Sequence, residues 1–236
     1  MDEQHLSHRV VRAGESLTIT PDDLSMGTHV YLLARTRITE DAGESAAAQQ
    51  RLSIEANSAN PYVSKGFAEE DVEALRDQMT AEFIAGEVRI LEHRSFGLTM
   101  SDVEPTSYLY AAAVGWGGLP SHTAQYLPTV NGQGQTICQK YTMPRPALQW
   151  DAGGFFSLTT YDAEGWIVEE NFYVGQTSMQ DNGDSFTMYV NCPDVENSIE
   201  TQEGWTGVFR FYLPENESEF IEFIDSIRDI EMEDIS

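Results

Sequence analysis

Lysine is almost absent from this chain of 236 residues: it occurs as Lys65 and Lys140, and the remaining cations are arginines. Aspartate and glutamate total 39 against 13 lysines and arginines, for a formal net charge of -26. Such a surface repels phosphate backbones and anionic lipids, so nucleic acid and membrane surfaces are not expected as partners. Two explanations stay open for the acidity: adaptation to high salt, where counterions screen the self-repulsion, or an acidic protein of an ordinary habitat.

Long apolar runs are missing as well. No stretch approaches the roughly 18 to 20 apolar residues of a membrane-spanning helix. Residues 1–9 contain no apolar core of a secretory signal peptide, so we expect a cytoplasmic protein. Hydrophobic residues still make up 41% and aromatic residues 11% of the chain. This content is enough for a hydrophobic core and argues against disorder.

Cysteine is scarce. Cys138 and Cys192 are the two cysteines, and neither belongs to a CxxC pair. Two thiols in a chain of this length do not make a disulfide framework. Each lies in or beside a predicted strand, so we expect two buried small hydrophobic side chains, with a single bridge as the alternative.

Recognisable catalytic and metal-binding motifs are also absent. Ser157 has no nucleophile elbow around it, and no histidine lies in a nucleophile motif. The segment from Asp181 to Asp184 has calcium-like residue types but lacks the later ligands, so we interpret it as a hairpin turn. No catalytic residue, metal or cofactor is predicted. The histidines are His5, His8, His29, His93 and His122.

The N-terminal half carries helix signals. The clearest helix is predicted over residues 67–83, where apolar residues recur at spacings of three and four. A second is predicted over residues 45–56, and a third begins at a capping box formed by Ser101 and Glu104. Short strands are predicted over residues 15–20, 29–38 and 88–91.

From residue 119 onward, short strands and turns dominate. The central feature is a β-hairpin: residues 155–161 form a strand, residues 162–165 a turn and residues 166–168 the returning strand. Asn131 and Gly132 predict another hairpin turn. Further strands are predicted over residues 124–127, 135–142, 185–190 and 205–213. Asn216 is predicted to cap a final helix.

These elements predict an α+β protein: an antiparallel β-sandwich of the jelly-roll type preceded by a helical N-terminal segment. Residues 1–105 would form the N-terminal strands and helices, and residues 106–214 the sandwich. Residues 215–236 would form the C-terminal helix and an acidic tail.

Residues 108–214 resemble the C-terminal jelly-roll domain known as domain of unknown function 1214. The order and spacing of several segments carry the resemblance, with Phe156 at a position where that family usually has tryptophan. The family has no established activity or mapped catalytic residues, so the resemblance implies a fold and no site. The matching segments are Ala111–Ala113, Gly117–Leu119, Tyr126, the Asn131–Gly132 turn, residues 155–162, Gly165, Asn171, residues 184–189 and residues 208–214.

In that family the domain normally follows a larger one, domain of unknown function 1254. Residues 29–37 resemble the closing strand of that partner domain. The chain therefore resembles a shortened member of the family, without most of the partner domain. The final helix departs from the family's usual C-terminal tail.

One arginine suggests a binding surface. Arg210 lies between Phe209 and Phe211 in a predicted strand, so alternation places it on the face opposite the phenylalanines. On a concave sheet face, Arg210 with Tyr126 and Tyr161 would hold a carboxylate or sugar by charge-assisted and stacking contacts. The alternative is an arginine that faces solvent or is ion-paired.

Three functions follow as hypotheses. The first is a structural or assembly module without catalysis, with homo-oligomerisation as a hypothesis and the ligand unknown. The second is a binding domain for a small polar or carbohydrate ligand. The third is a hydrolase or isomerase that uses carboxylates such as Glu164, Glu169 and Glu170.

Overall fold

The computed structural model of the chain describes residues 11, 14–20, 32–34, 36, 41–56, 63, 66–99, 101–115, 118–129, 136–167 and 170–235. The chain divides into two compact units, one formed by residues 8–74 and the other by residues 1–7 and 75–236. No helix in the described ranges is long and apolar enough to cross a membrane.

The unit of residues 8–74 contains helix α1, Ala42–Gln50, and the start of helix α2, Glu69–Ile84. The Asp41 carboxylate caps α1 by accepting a hydrogen bond from the backbone N–H of Gly43 at 2.7 Å. The helix predicted over residues 45–56 therefore begins and ends earlier than expected, because the aspartate supplies the cap. The strand predicted over residues 15–20 is wrong, since these exposed residues form no strand.

The predicted strand over residues 29–38 lies largely outside the described residues, and residues 32–34 and 36 are in no strand. The predicted strand over residues 88–91 is also wrong. Those residues connect α2 to a 3-10 turn, Glu92–Arg94. Helix α2 itself is confirmed within two residues at each end.

Helix α3, Pro105–Gly115, begins later than the capping box at Ser101 predicted. The Glu104 carboxylate accepts hydrogen bonds from the backbone N–H groups of Thr106 at 3.1 Å and Ser107 at 2.6 Å. Glu104 is therefore the cap, and the predicted role of Ser101 as N-cap is wrong. The Tyr110 hydroxyl donates to the Glu82 carboxylate at 2.5 Å and links α3 to the C-terminal part of α2.

In the part of the chain that the structure describes, eight strands form two antiparallel sheets. We refer to the sheet with strand order β1-β7-β3-β4 as sheet I and to the sheet with order β5-β6-β2-β8 as sheet II. The strands of sheet I are β1 Ala124–Thr129, β3 Phe155–Tyr161, β4 Tyr173–Gly175 and β7 Thr206–Tyr212. Those of sheet II are β2 Gln139–Pro144, β5 Gln180–Asp181, β6 Ser185–Val190 and β8 Glu233–Asp234.

The two sheets share one hydrophobic core. The rings of Phe156 in sheet I and Phe186 in sheet II are 4.9 Å apart between centroids, and those of Phe209 and Tyr141 are 5.3 Å apart. Buried aromatic pairs of this kind contribute both apolar area and ring–ring contact. The predicted α+β sandwich-like fold is thereby confirmed.

Helix α4, Glu217–Ile227, packs on the same core through its apolar stripe. The Asn216 side chain caps it by accepting a hydrogen bond from the backbone N–H of Glu219 at 3.1 Å, as predicted. Phe220 is 2% exposed and its ring lies 5.4 Å from that of Phe211.

Two predicted hairpins differ from the observed pairing. The turn at Asn131 and Gly132 lies outside the described residues, and the strands on either side of it do not pair: β1 pairs with β7, and β2 pairs with β6 and β8. The central turn is confirmed, with Gly165 at φ +88°. Its returning strand is β4, since residues 166 and 167 form no strand and residue 168 is outside the described part.

Cys138 and Cys192 form a disulfide. The expectation of two unpaired buried thiols is therefore wrong. The pairing of β2 with β6 ends at Gln139 and Val190, and this brings Cys138, one residue before β2, close to Cys192, two residues after β6. The backbone N–H of Ile235, beside β8, donates to the carbonyl of Cys138 at 2.9 Å.

Candidate surface on the outer face of sheet I

Strand β7 separates a buried face from a half-exposed face. Its burial alternates residue by residue, with Phe209 and Phe211 buried in the core and Arg210 and Tyr212 half-buried on the other side. The alternation that the sequence predicted for Arg210 is confirmed. This arginine lies on the outward side of sheet I.

Strand register defines which side chains share this outer face. Arg210 is opposite Tyr126 in β1 and opposite Ser157 in β3, so the three lie in one row. The face consists of the outward positions of the four strands. They are Ala124, Tyr126 and Pro128 in β1; Thr206, Val208, Arg210 and Tyr212 in β7; Phe155, Ser157, Thr159 and Tyr161 in β3; and Tyr173 and Gly175 in β4.

Arg210 contacts Tyr161. One guanidinium nitrogen donates to the Tyr161 hydroxyl at 2.6 Å, and the guanidinium carbon lies 5.8 Å from the centroid of the tyrosine ring. The other terminal nitrogen donates to the backbone carbonyl of Val208 at 3.4 Å. The side chain therefore runs along its own strand toward the end of β3 where Tyr161 lies.

Half-buried cations elsewhere in the described residues are paired with carboxylates. Lys140 contacts Glu233 at 2.9 Å, Arg145 contacts Asp181, and Arg228 contacts Glu92 at 2.8 Å. Arg210 differs, since its side-chain partners are a phenol and a backbone carbonyl. A half-buried guanidinium without a carboxylate is unusual for a chain so rich in acids.

Tyr126 does not join the Arg210 and Tyr161 pair. Its hydroxyl accepts a hydrogen bond from the backbone N–H of Leu119 at 3.0 Å and so holds the segment before β1. Two of the three predicted binding residues are therefore brought into contact. The third shares the face but directs its polar atom toward a neighbouring loop.

Three further aromatic side chains lie on this face: Tyr212, which alternation placed there with Arg210, and Phe155 and Tyr173; none of them was predicted as a binding residue. The rings of Phe155 and Tyr212 are stacked, with centroids 4.3 Å apart and planes 14° apart. Tyr173 is 50% exposed, and its hydroxyl lies beside Gly175, whose missing side chain leaves room for it. The alternation of β3 alone indicates that Phe155 faces outward. Its contact with Tyr212 depends on the pairing of β3 with β7.

A small groove lies beyond Tyr161. It holds about 10 Å³ of space, enough for roughly one water molecule. Its two carboxylates are already engaged: Asp162 accepts from the backbone N–H of Trp166 at 2.7 Å, and Glu200 accepts from the Asn171 amide at 3.2 Å. The groove is too small for an organic ligand.

The other candidate groups are dispersed. Glu164 and Glu170 are exposed, and Glu169 lies outside the described residues. The Asp181 carboxylate accepts from the backbone N–H of Gly183 and pairs with Arg145, and these contacts, Arg145 first, lower its pKa. Within the described ranges, no three acidic, histidine or cysteine side chains converge as metal ligands would.

Comparison with known proteins identifies no family. No protein-family description and no curated protein matches the chain. Among solved structures, the chain is similar to the VPA0106 protein of Vibrio parahaemolyticus, with a TM-score of 0.47 and 13% sequence identity. The similarity covers 92% of this chain and 62% of that protein, so the chain spans less than two thirds of the neighbour's length.

Proposed function

We propose that this protein is a non-catalytic assembly module that associates with a second copy of itself through helix α3. The observation that carries the proposal is the composition of that helix. In a chain with 39 acidic residues, its eleven residues contain no charged side chain. An uncharged helix is where two strongly acidic molecules can approach with least repulsion.

The exposure of α3 supports the proposal. Leu109 is 54% exposed, Val114 45% and Tyr108 40%, while the buried residue of the helix is Ser107. A helix that is apolar around most of its circumference normally has its apolar surface covered. Exposed apolar side chains on an uncharged helix are what an interface with a second copy would cover.

The test is the molar mass in solution, measured by light scattering across a salt series. Self-association should strengthen with salt, because counterions screen the repulsion between two molecules of net charge -26. Leu109→Glu should abolish the dimer. Ile137→Glu, which changes an exposed apolar side chain outside α3, should leave it intact. A monomer at every salt concentration would refute the proposal.

High-salt adaptation and family membership are further parts of this proposal. Near-absence of lysine with a net charge of -26 supports a protein adapted to high salt. The matching segments of the sequence support kinship with domain of unknown function 1214 and a jelly-roll strand arrangement. Stability that rises with salt concentration would support the first inference, and a fall would contradict it.

The compartment is proposed from the disulfide. A bridge between Cys138 and Cys192 favours an oxidising location over the cytoplasm that the N-terminal sequence predicted. The test is to alkylate free thiols in cells of the native host before any reductant is added and to count the alkylated cysteines of this protein. Two alkylated cysteines per chain would favour the cytoplasm.

A further inference from the structure

We propose that the outer face of sheet I binds a ring-bearing monocarboxylate, with Arg210 and Tyr161 as the groups that hold its carboxylate. The site is independent of α3 and of the assembly proposed for it. Its evidence is the hydrogen bonding of Arg210, the charge of the whole face and the exposed ring of Tyr173.

The first step is the hydrogen-bonding capacity that Arg210 retains. A guanidinium has five N–H donors. Two bonds of Arg210 are made within the described residues, to the Tyr161 hydroxyl and the Val208 carbonyl, so three of the five donors remain. The planar fork of a guanidinium matches the two oxygens of a carboxylate.

The second step concerns Tyr161. Because its oxygen accepts the hydrogen bond from Arg210, its own O–H proton is free to be donated outward. A carboxylate placed beside the pair would accept one hydrogen bond from the guanidinium and another from the phenol. The contact between Arg210 and Tyr161 thus arranges two donors for one anion.

The third step is charge. The chain has 39 acidic residues among 236, yet the outward positions of sheet I include no aspartate and no glutamate. Arg210 is the sole formal charge among these strand positions. The net charge of -26 repels a dianion about twice as strongly as a monoanion, which favours a carboxylate over a phosphate ester.

The fourth step is the ring. The stacked pair of Phe155 and Tyr212 lies at the other end of β3, six residues from Tyr161, so a small acid held by Arg210 and Tyr161 does not reach it. Tyr173 pairs with Thr159, two residues before Tyr161, and is the ring at the correct level of the sheet. Tyr173, half exposed, lies across β3 from β7. Aromatic faces of this kind contact sugar rings and aromatic rings alike. Sugar acids and aromatic acids therefore share the required chemistry.

The experiment titrates the protein with galacturonate and with 4-hydroxybenzoate, each against its neutral counterpart, galactose or 4-hydroxybenzamide. Binding is measured by saturation-transfer NMR and calorimetry. We expect a dissociation constant on the order of 1 mM for at least one acid and no binding of either neutral compound. The acid that binds shows whether the site prefers a sugar acid or an aromatic acid.

Matched variants locate the site. Arg210→Gln should weaken binding roughly tenfold or more, since a charge-assisted hydrogen bond is lost. Arg89→Gln, which makes the same charge change at an exposed arginine outside sheet I, should have no effect. Arg210→Lys keeps the charge without the fork, and Tyr161→Phe removes the outward O–H donor; both should weaken binding less than Arg210→Gln does.

Three results would overturn the proposal. They are the absence of binding by both acids, equal binding of acids and neutral compounds, and equal effects of Arg210→Gln and Arg89→Gln. Because Arg210→Lys and Tyr161→Phe are smaller changes, they keep the test valid if Arg210→Gln does not fold. Failure of this proposal leaves the oligomeric state of the α3 variants unaffected, so the two proposals are tested separately.

Discussion

Reduction of the disulfide should destabilise the protein by a measurable and calculable amount. Cys138 and Cys192 are separated by 54 residues, and the closed loop includes β2 to β6. Chain-entropy loss for a loop of this length corresponds to about 4 kcal/mol at 25 °C. Because residual structure in the reduced, unfolded chain lowers this value, we expect a loss of about 2–4 kcal/mol, a large part of a typical total stability of about 5–15 kcal/mol.

Urea unfolding followed by tryptophan fluorescence, with and without reductant at constant ionic strength, measures this loss. The midpoint of wild type should fall on reduction, while that of the Cys138→Ala/Cys192→Ala double variant should be unchanged by reductant. The reduced wild type and the double variant should have similar stabilities, since both lack the covalent constraint. Two reactive thiols in the unreduced, unfolded chain, or equal midpoints with and without reductant, would refute the reasoning.

The remaining predictions concern capping and titration. Asn216→Ala should destabilise the protein by about 1 kcal/mol in the same urea assay, because the backbone N–H of Glu219 loses its acceptor, and no loss would refute the cap. Burial raises the pKa of Tyr141 to about 12, so stability should fall as the pH rises from about 10 toward 12, with a smaller fall in Tyr141→Phe. Hydrogen bonds from Ser107 and then Thr106 lower the pKa of Glu104 in the folded protein. The contribution of Glu104 to folding stability should therefore be lost as the pH falls below about 4. Glu104→Gln should reduce this acid sensitivity, and an unchanged acid titration would exclude Glu104 as a source of it.

Sequence signals within a few residues predicted individual helices and strands correctly. Pairings between strands that are far apart in the chain were not predicted. Helix α4 and strand β7 follow from a cap and an alternation that lie within a few residues. The hairpin expected at Asn131 and Gly132 failed because strand partners are chosen by the shared core, which joins β1 to β7 and β2 to β6. The same pairing of β2 with β6 created the disulfide. A capping box matched Ser101 by pattern, yet the Glu104 carboxylate reached the free N–H groups of the helix.

The same distinction applies to the candidate surface: its local strand alternation was predictable, and most of its contacts between strands were not. Alternation placed Arg210 outward, and the tyrosine at the end of β3 was the correct partner for it. The role of Tyr126 was not predictable, because its hydroxyl is taken by the backbone of Leu119, outside the strand. Stacking of Phe155 on Tyr212 required the register between β3 and β7, which no local pattern in either strand contains.

Charge is the physical property that connects the two proposed surfaces. Acidic side chains are spread along nearly all of this sequence, but α3 has none and the outward strand positions of sheet I have none. An acidic surface keeps molecules soluble and apart, and it also repels anions and other acidic proteins. Contact with a second copy or with an anion therefore requires places where that charge is missing. Helix α3 meets the requirement with apolar side chains, whereas sheet I adds one guanidinium, which is why we assign a protein partner to the first surface and a carboxylate to the second.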